Sequence, residues 1–72
     1  MIHGRTALEL QGLAAFGASL EVDGSRYTAL ELQSIAVMLR PGSHLRVCNT
    51  GGKSALELQG IAAIKPGQVI FA

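Results

Sequence analysis

The chain has 72 residues, which is the size of one domain spanning residues 1–72. Apolar residues make up 49% of the chain and charged residues 15%, a composition that excludes a disordered segment. The formal net charge is +1 and the six basic residues are spread singly, so charge gives no case for nucleic-acid binding.

The pentapeptide Ala-Leu-Glu-Leu-Gln occurs three times, at residues 7–11, 29–33 and 55–59. Each copy follows Thr or Ser, and the Glu of the copy lies three residues after that hydroxyl, as in a helix capping box. The three pairs are Thr6 with Glu9, Thr28 with Glu31, and Ser54 with Glu57. The sequence therefore predicts three helix starts at three equivalent places.

The apolar residues after each start step by three and four, which is typical of an amphipathic helix. In the first copy this apolar stripe is Ala7, Leu10, Leu13 and Ala14. Pro and Gly then predict the helix ends, at Gly17, Pro41-Gly42 and Pro66-Gly67. Short stretches with alternating apolar residues follow and are predicted strands, at 19–22, 44–48 and 68–71.

Asp23-Gly24 is a favourable two-residue hairpin turn, and it predicts an antiparallel strand at 25–28. We expect an α+β fold, a two-layer open-faced sandwich with three helices on one face of a small, mainly antiparallel sheet. An internal threefold repeat divides it into units of about 6–23, 28–48 and 54–71. The last strand is the exception, because a strand–helix–strand crossover favours a direction parallel to 44–48.

Several residues lie outside this scaffold. The loop 50–54, Thr-Gly-Gly-Lys-Ser, resembles the end of a phosphate-binding loop, but the required upstream Gly is replaced by Val47, so we expect a turn into a capped helix. Cys48 is predicted to be buried and inert, and His44 to be a solvated turn residue. No other Cys or His lies near in sequence, so we expect no metal site and no cofactor.

His3 and Arg5 directly precede the first helix, where unpaired backbone N–H groups and the helix dipole favour an anion. A neutral His can accept a phosphoryl group, and Arg5 can donate to the phosphate oxygens. The residues alone also allow a bland interpretation, in which His3 belongs to a frayed terminus.

The string His3-x-Arg5-x-Ala7 before a helix resembles the active-site segment of the histidine-containing phosphocarrier (HPr) family of the sugar phosphotransferase system. The run 18–22 with Asp23-Gly24, and Arg40-Pro41-Gly42, resemble that family's hairpin and a later turn. The resemblance implies that His3 is the phosphoryl acceptor and Arg5 its phosphate partner. Backbone groups of Arg5, Thr6 and Ala7 would then bind the phosphate. The family has Pro where this chain has Thr6, an extra strand before the histidine, and an antiparallel sheet.

Three hypotheses follow for the function. The first is a phosphocarrier that relays a phosphoryl group to phosphotransferase-system proteins, rather than a turnover enzyme. The second is a structural or engineered helix–strand repeat domain without catalytic activity. The third is an oligomeric interaction module, since a small apolar chain favours a homo-oligomer. The single Cys, the start of the chain and its short apolar runs predict a cytoplasmic protein without membrane insertion.

Overall fold

Helices and strands alternate along the chain in the computed structural model, which describes residues 5–72. The α+β class and the three predicted helices are confirmed, and strands lie near three of the predicted segments, 19–22, 44–48 and 68–71. The elements in chain order are α1 (Ala7–Ala15), β1 (Leu20–Asp23), α2 (Ala29–Val37), β2 (Leu45–Cys48), α3 (Ala55–Ile64) and β3 (Val69–Phe71).

Each copy of the pentapeptide begins a helix, and each helix has a complete capping box. In α2, the Thr28 hydroxyl accepts from the Glu31 N–H at 3.1 Å, while the Glu31 carboxylate accepts from the Thr28 N–H at 2.9 Å. Two backbone donors that a helix start leaves unpaired are satisfied in this way. The three predicted helix starts are therefore confirmed at the residues that the capping pattern indicated.

The turns after the helices contain glycines in the left-handed region, with φ of 95° at Gly17, 86° at Gly42 and 83° at Gly67. This conformation favours glycine because it lacks a Cβ. The second helix nevertheless ends earlier than predicted, at Val37, and Pro41-Gly42 lies in the turn between Val37 and β2.

The sheet has the order β1-β2-β3, and both pairs of neighbours are parallel. Leu20 aligns with Leu45, and Leu45 with Val69. The prediction of a mainly antiparallel sheet is wrong, although the parallel direction predicted for the last strand is confirmed. The reason is that a helix separates each strand from the next, and such a crossover returns the chain to the same end of the sheet.

The predicted hairpin at Asp23-Gly24 and the antiparallel strand at 25–28 are also wrong. A short 3₁₀ turn, Gly24–Arg26, follows β1 and leads into α2. The Asp23 carboxylate starts this turn, because it accepts from the Ser25 N–H at 3.0 Å and from the Ser25 hydroxyl at 2.6 Å. With such a local hydrogen bond, Asp can start a turn that does not lead into an antiparallel strand.

Gly24 is buried against the neighbouring strand. A Cβ at this position would lie 2.7 Å from Val47 Cγ1 and 2.8 Å from the Cys48 carbonyl oxygen. The chain needs glycine here because of this close approach, and not because of a hairpin turn.

One face of the sheet is buried under the helices and the other is open. Side chains alternate along the strands, so every second residue of β1 and β2 is buried. Glu21 and Arg46 lie on the open face, where their side chains form an ion pair at 3.2 Å. The two-layer arrangement follows from this alternation. The largest fully buried side chains are Leu10, Leu32, Ile35, Leu45, Ile61, Val22 and Val47.

Side chains in the turns also join each helix–strand segment to the one before it. The Ser43 hydroxyl donates to the Gly17 carbonyl at 2.8 Å, and the Gln68 amide donates to the carbonyls of Arg40 and Ser43 at 2.8 and 2.9 Å. The Tyr27 hydroxyl donates to the Arg5 carbonyl at 2.7 Å. These bonds satisfy polar groups near the core and fix the spacing between neighbouring segments.

Candidate functional site

The start of α1 contains the described part of the predicted phosphate site. Arg5 and Thr6 are exposed and directly precede the helix, and Ala7 is its first residue, partly buried against the core. His3, the predicted phosphoryl acceptor, lies outside the described residues, so its role stays a prediction. The structure thus brings Arg5, Thr6 and Ala7 to one helix start.

The polar groups of Thr6 are already bonded within the chain. Its hydroxyl accepts from the Glu9 N–H at 3.2 Å, and the Glu9 carboxylate accepts from the Thr6 N–H at 3.0 Å and from the Thr6 hydroxyl at 3.2 Å. A carboxylate is a favourable group at the positive end of a helix. Glu9 therefore holds the backbone donor that the phosphate was predicted to use.

Arg5 is directed to the same carboxylate. Its guanidinium donates to Glu9 Oε2 at 3.3 Å, in an exposed ion pair of helical neighbours. The pKa of Glu9 is lowered, first by the hydrogen bond from the Thr6 backbone, then by the Thr6 hydroxyl and Arg5. At neutral pH the helix start thus carries its own anion, and a phosphate would have to displace it or share Arg5 with it.

The loop 50–54 forms a turn, as predicted. The Lys53 N–H donates to the Thr50 carbonyl at 2.9 Å, and the Lys53 ammonium donates to the Gly24 carbonyl. Ser54 caps α3. The lysine and the serine of the phosphate-loop resemblance therefore have structural partners.

The remaining predicted residues have ordinary surroundings. His44 is exposed in the turn before β2, as predicted, and its backbone N–H donates to the Ser19 hydroxyl at 3.0 Å. Cys48 is partly exposed at the end of β2, and not fully buried as predicted. Within residues 5–72, no group of three or more His, Cys, Asp or Glu side chains is placed to hold a metal ion.

The most regular surface feature is a row of three exposed leucines, one at the same position in each pentapeptide. Leu8, Leu30 and Leu56 are 75%, 72% and 77% exposed. Each is the second residue of its helix, and the three helices lie side by side, because α1 contacts α2 and α2 contacts α3. We call Leu8, Leu30 and Leu56 the leucine row.

The sequence interpretation overlooked this row because it assigned every leucine of the pentapeptide to the scaffold. The packing separates the two leucines of each copy. In α2, Leu32 is fully buried and Leu30 is exposed. A signal was available, since Leu8 falls outside the apolar stripe formed by Ala7, Leu10, Leu13 and Ala14.

A second apolar surface lies on the outer flank of α1. An open groove of about 370 Å³ is lined there by Arg5, Glu9, Gly12, Leu13 and Phe16. Phe16 is 94% exposed and Leu13 is 41% exposed. Two large apolar side chains on one open flank are a candidate contact surface.

Comparison with known proteins gives no assignment: no family model, no curated protein and no solved structure matches the chain. Within residues 5–72, none of the helices has the length and apolar character needed to cross a membrane.

Proposed function

We propose that the chain is a non-catalytic protein-interaction module, composed of three helix–strand repeat units, which binds a partner protein through the leucine row. The units are residues 6–23, 28–48 and 54–71. The observation that carries the proposal is the exposure of Leu8, Leu30 and Leu56, because packing of the core does not require leucine at these positions.

The repeat interpretation is supported by three features that recur with each pentapeptide copy. Every copy starts a helix with a capping box. A glycine with positive φ lies in each turn after the helix. Each strand then pairs in parallel with the strand of the neighbouring segment. Units stacked in this way form a solenoid, whose surface repeats the same side chain at regular intervals.

The geometry of the leucine row suits an amphipathic helix lying across α1, α2 and α3. Packed helices are about 8–10 Å apart. A partner helix rises about 1.5 Å per residue, so residues seven apart are about 10.5 Å apart and can each meet one leucine. Removing a leucine side chain from water contributes about 1.5–3 kcal/mol, so three of them supply a useful contact energy.

The charges beside the row favour basic residues on the flanks of that partner helix. Glu9, Glu31 and Glu57 directly follow the three leucines and are exposed. Glu9 pairs with Arg5, whereas Glu31 and Glu57 have no ion pair within residues 5–72. Exposed carboxylates attract Lys or Arg and repel acidic partners, which gives the surface a preference for basic partners.

A peptide experiment tests the proposal. The probe is a synthetic helical peptide with leucine at every seventh position and lysine on the flanks, and its affinity for the protein is measured by fluorescence anisotropy. We expect binding that weakens at least about tenfold when Leu8, Leu30 and Leu56 are all replaced by Gln, the loss of ~1.4 kcal/mol or more. The matched control replaces Leu13 and Phe16, which are exposed outside the row, and keeps the affinity.

Either of two results would contradict the proposal. The first is no measurable binding of the lysine-flanked peptide, and the second is equal affinity of the peptide for the parent protein and the triple variant. A peptide with glutamate on its flanks should bind more weakly than the lysine form. Equal affinity of the two peptides would contradict the role given to Glu31 and Glu57.

The phosphocarrier hypothesis stays a second, separate proposal, supported by the exposed Arg5 at the start of α1. It ranks lower because Glu9 holds Arg5 and Thr6, and because the parallel sheet lacks the antiparallel architecture of the family it resembles. Its test is incubation with phosphoenolpyruvate and the general phosphotransferase of a sugar uptake system. An acid-labile phosphate that disappears in His3→Ala would support a relay, and the absence of an adduct would refute it.

A further inference from the structure

We propose that copies of this chain associate head to tail, so that the α3–β3 end of one copy packs on the α1–β1 end of the next. The contact would repeat the packing that already joins the neighbouring units inside the chain. The inference relies on the repeat units of the proposed function, but not on the leucine row.

The internal contact between α2 and α3 shows what this packing requires. Gly60 of α3 faces α2 so closely that a Cβ at this position would lie 3.0 Å from the amide nitrogen of Gln33. The following residue, Ile61, is fully buried, as is its counterpart Ile35 in α2. On each helix, the side that packs against the preceding unit thus carries a small residue followed by a large aliphatic one. We call this side the receiving surface.

On the outer flank of α1, the same receiving surface is not covered by any of residues 5–72. Gly12 stands at the position of Gly60, and a Cβ there would meet none of their atoms within 4 Å. Leu13 stands at the position of Ile61, yet it is 41% exposed. The groove along this flank is the space that a preceding helix would fill.

The opposite end of the chain has the complementary surface. Leu58 of α3 and Val69 of β3 are only partly buried, although their counterparts in the middle unit, Leu32 and Leu45, are fully buried. Gln59, the counterpart of Gln33, is exposed. Within residues 5–72, β3 pairs with β2 alone, so its outer edge has no neighbouring strand.

These two end surfaces match each other in the same way as the surfaces of neighbouring units inside the chain. Gln59 of one copy would lie over Gly12 of the next, as Gln33 lies by Gly60, and Leu13 would be covered as Ile61 is. The outer edge of β3 would pair in parallel with that of β1, which within residues 5–72 also has a single neighbour. A second copy is the favoured occupant because this one chain carries both halves of a contact that it already makes twice.

A contact between two different surfaces does not close after two copies, so it generates a series of oligomers rather than a single dimer. We expect sedimentation velocity to show a mean mass that rises continuously with protein concentration. A mass that stays at one chain throughout, or that stops at two chains, would overturn the proposal.

A matched pair of variants locates the contact. Gly12→Arg places a long side chain in open space in the single chain, and a helix tolerates it better than glycine, but it blocks the receiving flank. Val37→Arg changes an exposed side chain at the end of the middle helix, outside the leucine row and away from both end surfaces. We expect Gly12→Arg to remain a monomer and Val37→Arg to associate like the parent protein. Association of Gly12→Arg at the parent level would overturn the proposal.

Cross-linking tests the direction of the contact. In a Cys48→Ser background, Gly12→Cys and Gln59→Cys are combined and treated with a short bismaleimide. The double variant should give a ladder of covalent oligomers, and each single variant should remain mainly uncrosslinked. Efficient dimers of the Gly12→Cys variant alone would indicate a symmetric contact and contradict the head-to-tail arrangement. These results are independent of the peptide experiment, which reads only the leucine row.

Discussion

The two leucines of the second pentapeptide provide a direct test of the packing, because they are two residues apart in the same helix and differ in burial. Leu32 is fully buried in the core, whereas Leu30 is 72% exposed. Leu32→Ala removes the same atoms as Leu30→Ala and leaves the helix caps unchanged. Any difference in stability between the two variants therefore reports on the packing around each side chain.

The expected magnitude follows from burial. Truncation of a fully buried leucine lowers the free energy of unfolding by about 2–5 kcal/mol, through lost transfer energy and the cavity that remains. At about 0.05–0.15 kcal/mol per residue, a chain of this length has a total stability of about 4–11 kcal/mol. Leu32→Ala should thus remove a large part of the stability. Leu30→Ala should change it by less than about 0.5 kcal/mol, as for an exposed position.

Urea denaturation followed by circular dichroism at the helix band measures both variants. With a slope of about 1 kcal/mol per molar urea for a small chain, Leu32→Ala should shift the midpoint by about 2 M or more, and Leu30→Ala by less than about 0.5 M. If Leu32→Ala does not fold, Leu32→Met replaces it. Leu32→Met should lower the free energy of unfolding by less than about 1.5 kcal/mol, and by more than Leu30→Met does. Equal losses of stability at the two positions would refute the burial of Leu32 and the exposure of Leu30.

Three further predictions concern the turns and caps. Gly24→Ala should destabilise the protein by about 1–3 kcal/mol in the same denaturation assay, because the added Cβ meets β2. Gly52→Ala places its Cβ in open space and should be nearly neutral. Equal effects of the two substitutions would contradict the close approach of Gly24 to β2. Thr28→Ala should lower the free energy of unfolding by about 1 kcal/mol, because the helix cap is lost, whereas Thr28→Ser should retain most of the capping energy. An equal loss in Thr28→Ser would contradict the capping role. The pKa values of Glu9 and Asp23 are lowered in the fold, so the stability these carboxylates contribute is fully present above their unfolded pKa values and is lost as pH falls through the folded ones. Glu9→Gln should reduce this acid dependence, and an unchanged pH profile of the unfolding midpoint would contradict the linkage.

The sequence could predict the helices because their signals are local. A hydroxyl followed three residues later by Glu places a capping box without reference to the rest of the chain, and all three helices begin where these pairs stand. The glycines with positive φ are local signals as well, since their backbone conformation disfavours a Cβ. The candidate residues Arg5, Thr6 and Ala7 were likewise placed correctly at the start of a helix.

The segment after β1 shows where local signals fail. Asp-Gly is compatible with a hairpin and with a turn into a helix, and nothing in the dipeptide chooses between them. The choice depends on Gly24 lying against β2, about two dozen residues further along the chain. The direction of the sheet has the same origin, because it depends on the helix that separates β1 from β2.

The sequence by itself determined that this protein has three capped helices, each built on the same pentapeptide, with a strand after each one. The tertiary structure decided that the strands are parallel and which leucine of each copy is exposed. The physical reason is that capping involves residues three apart in sequence, whereas burial and strand direction depend on residues that only folding brings together.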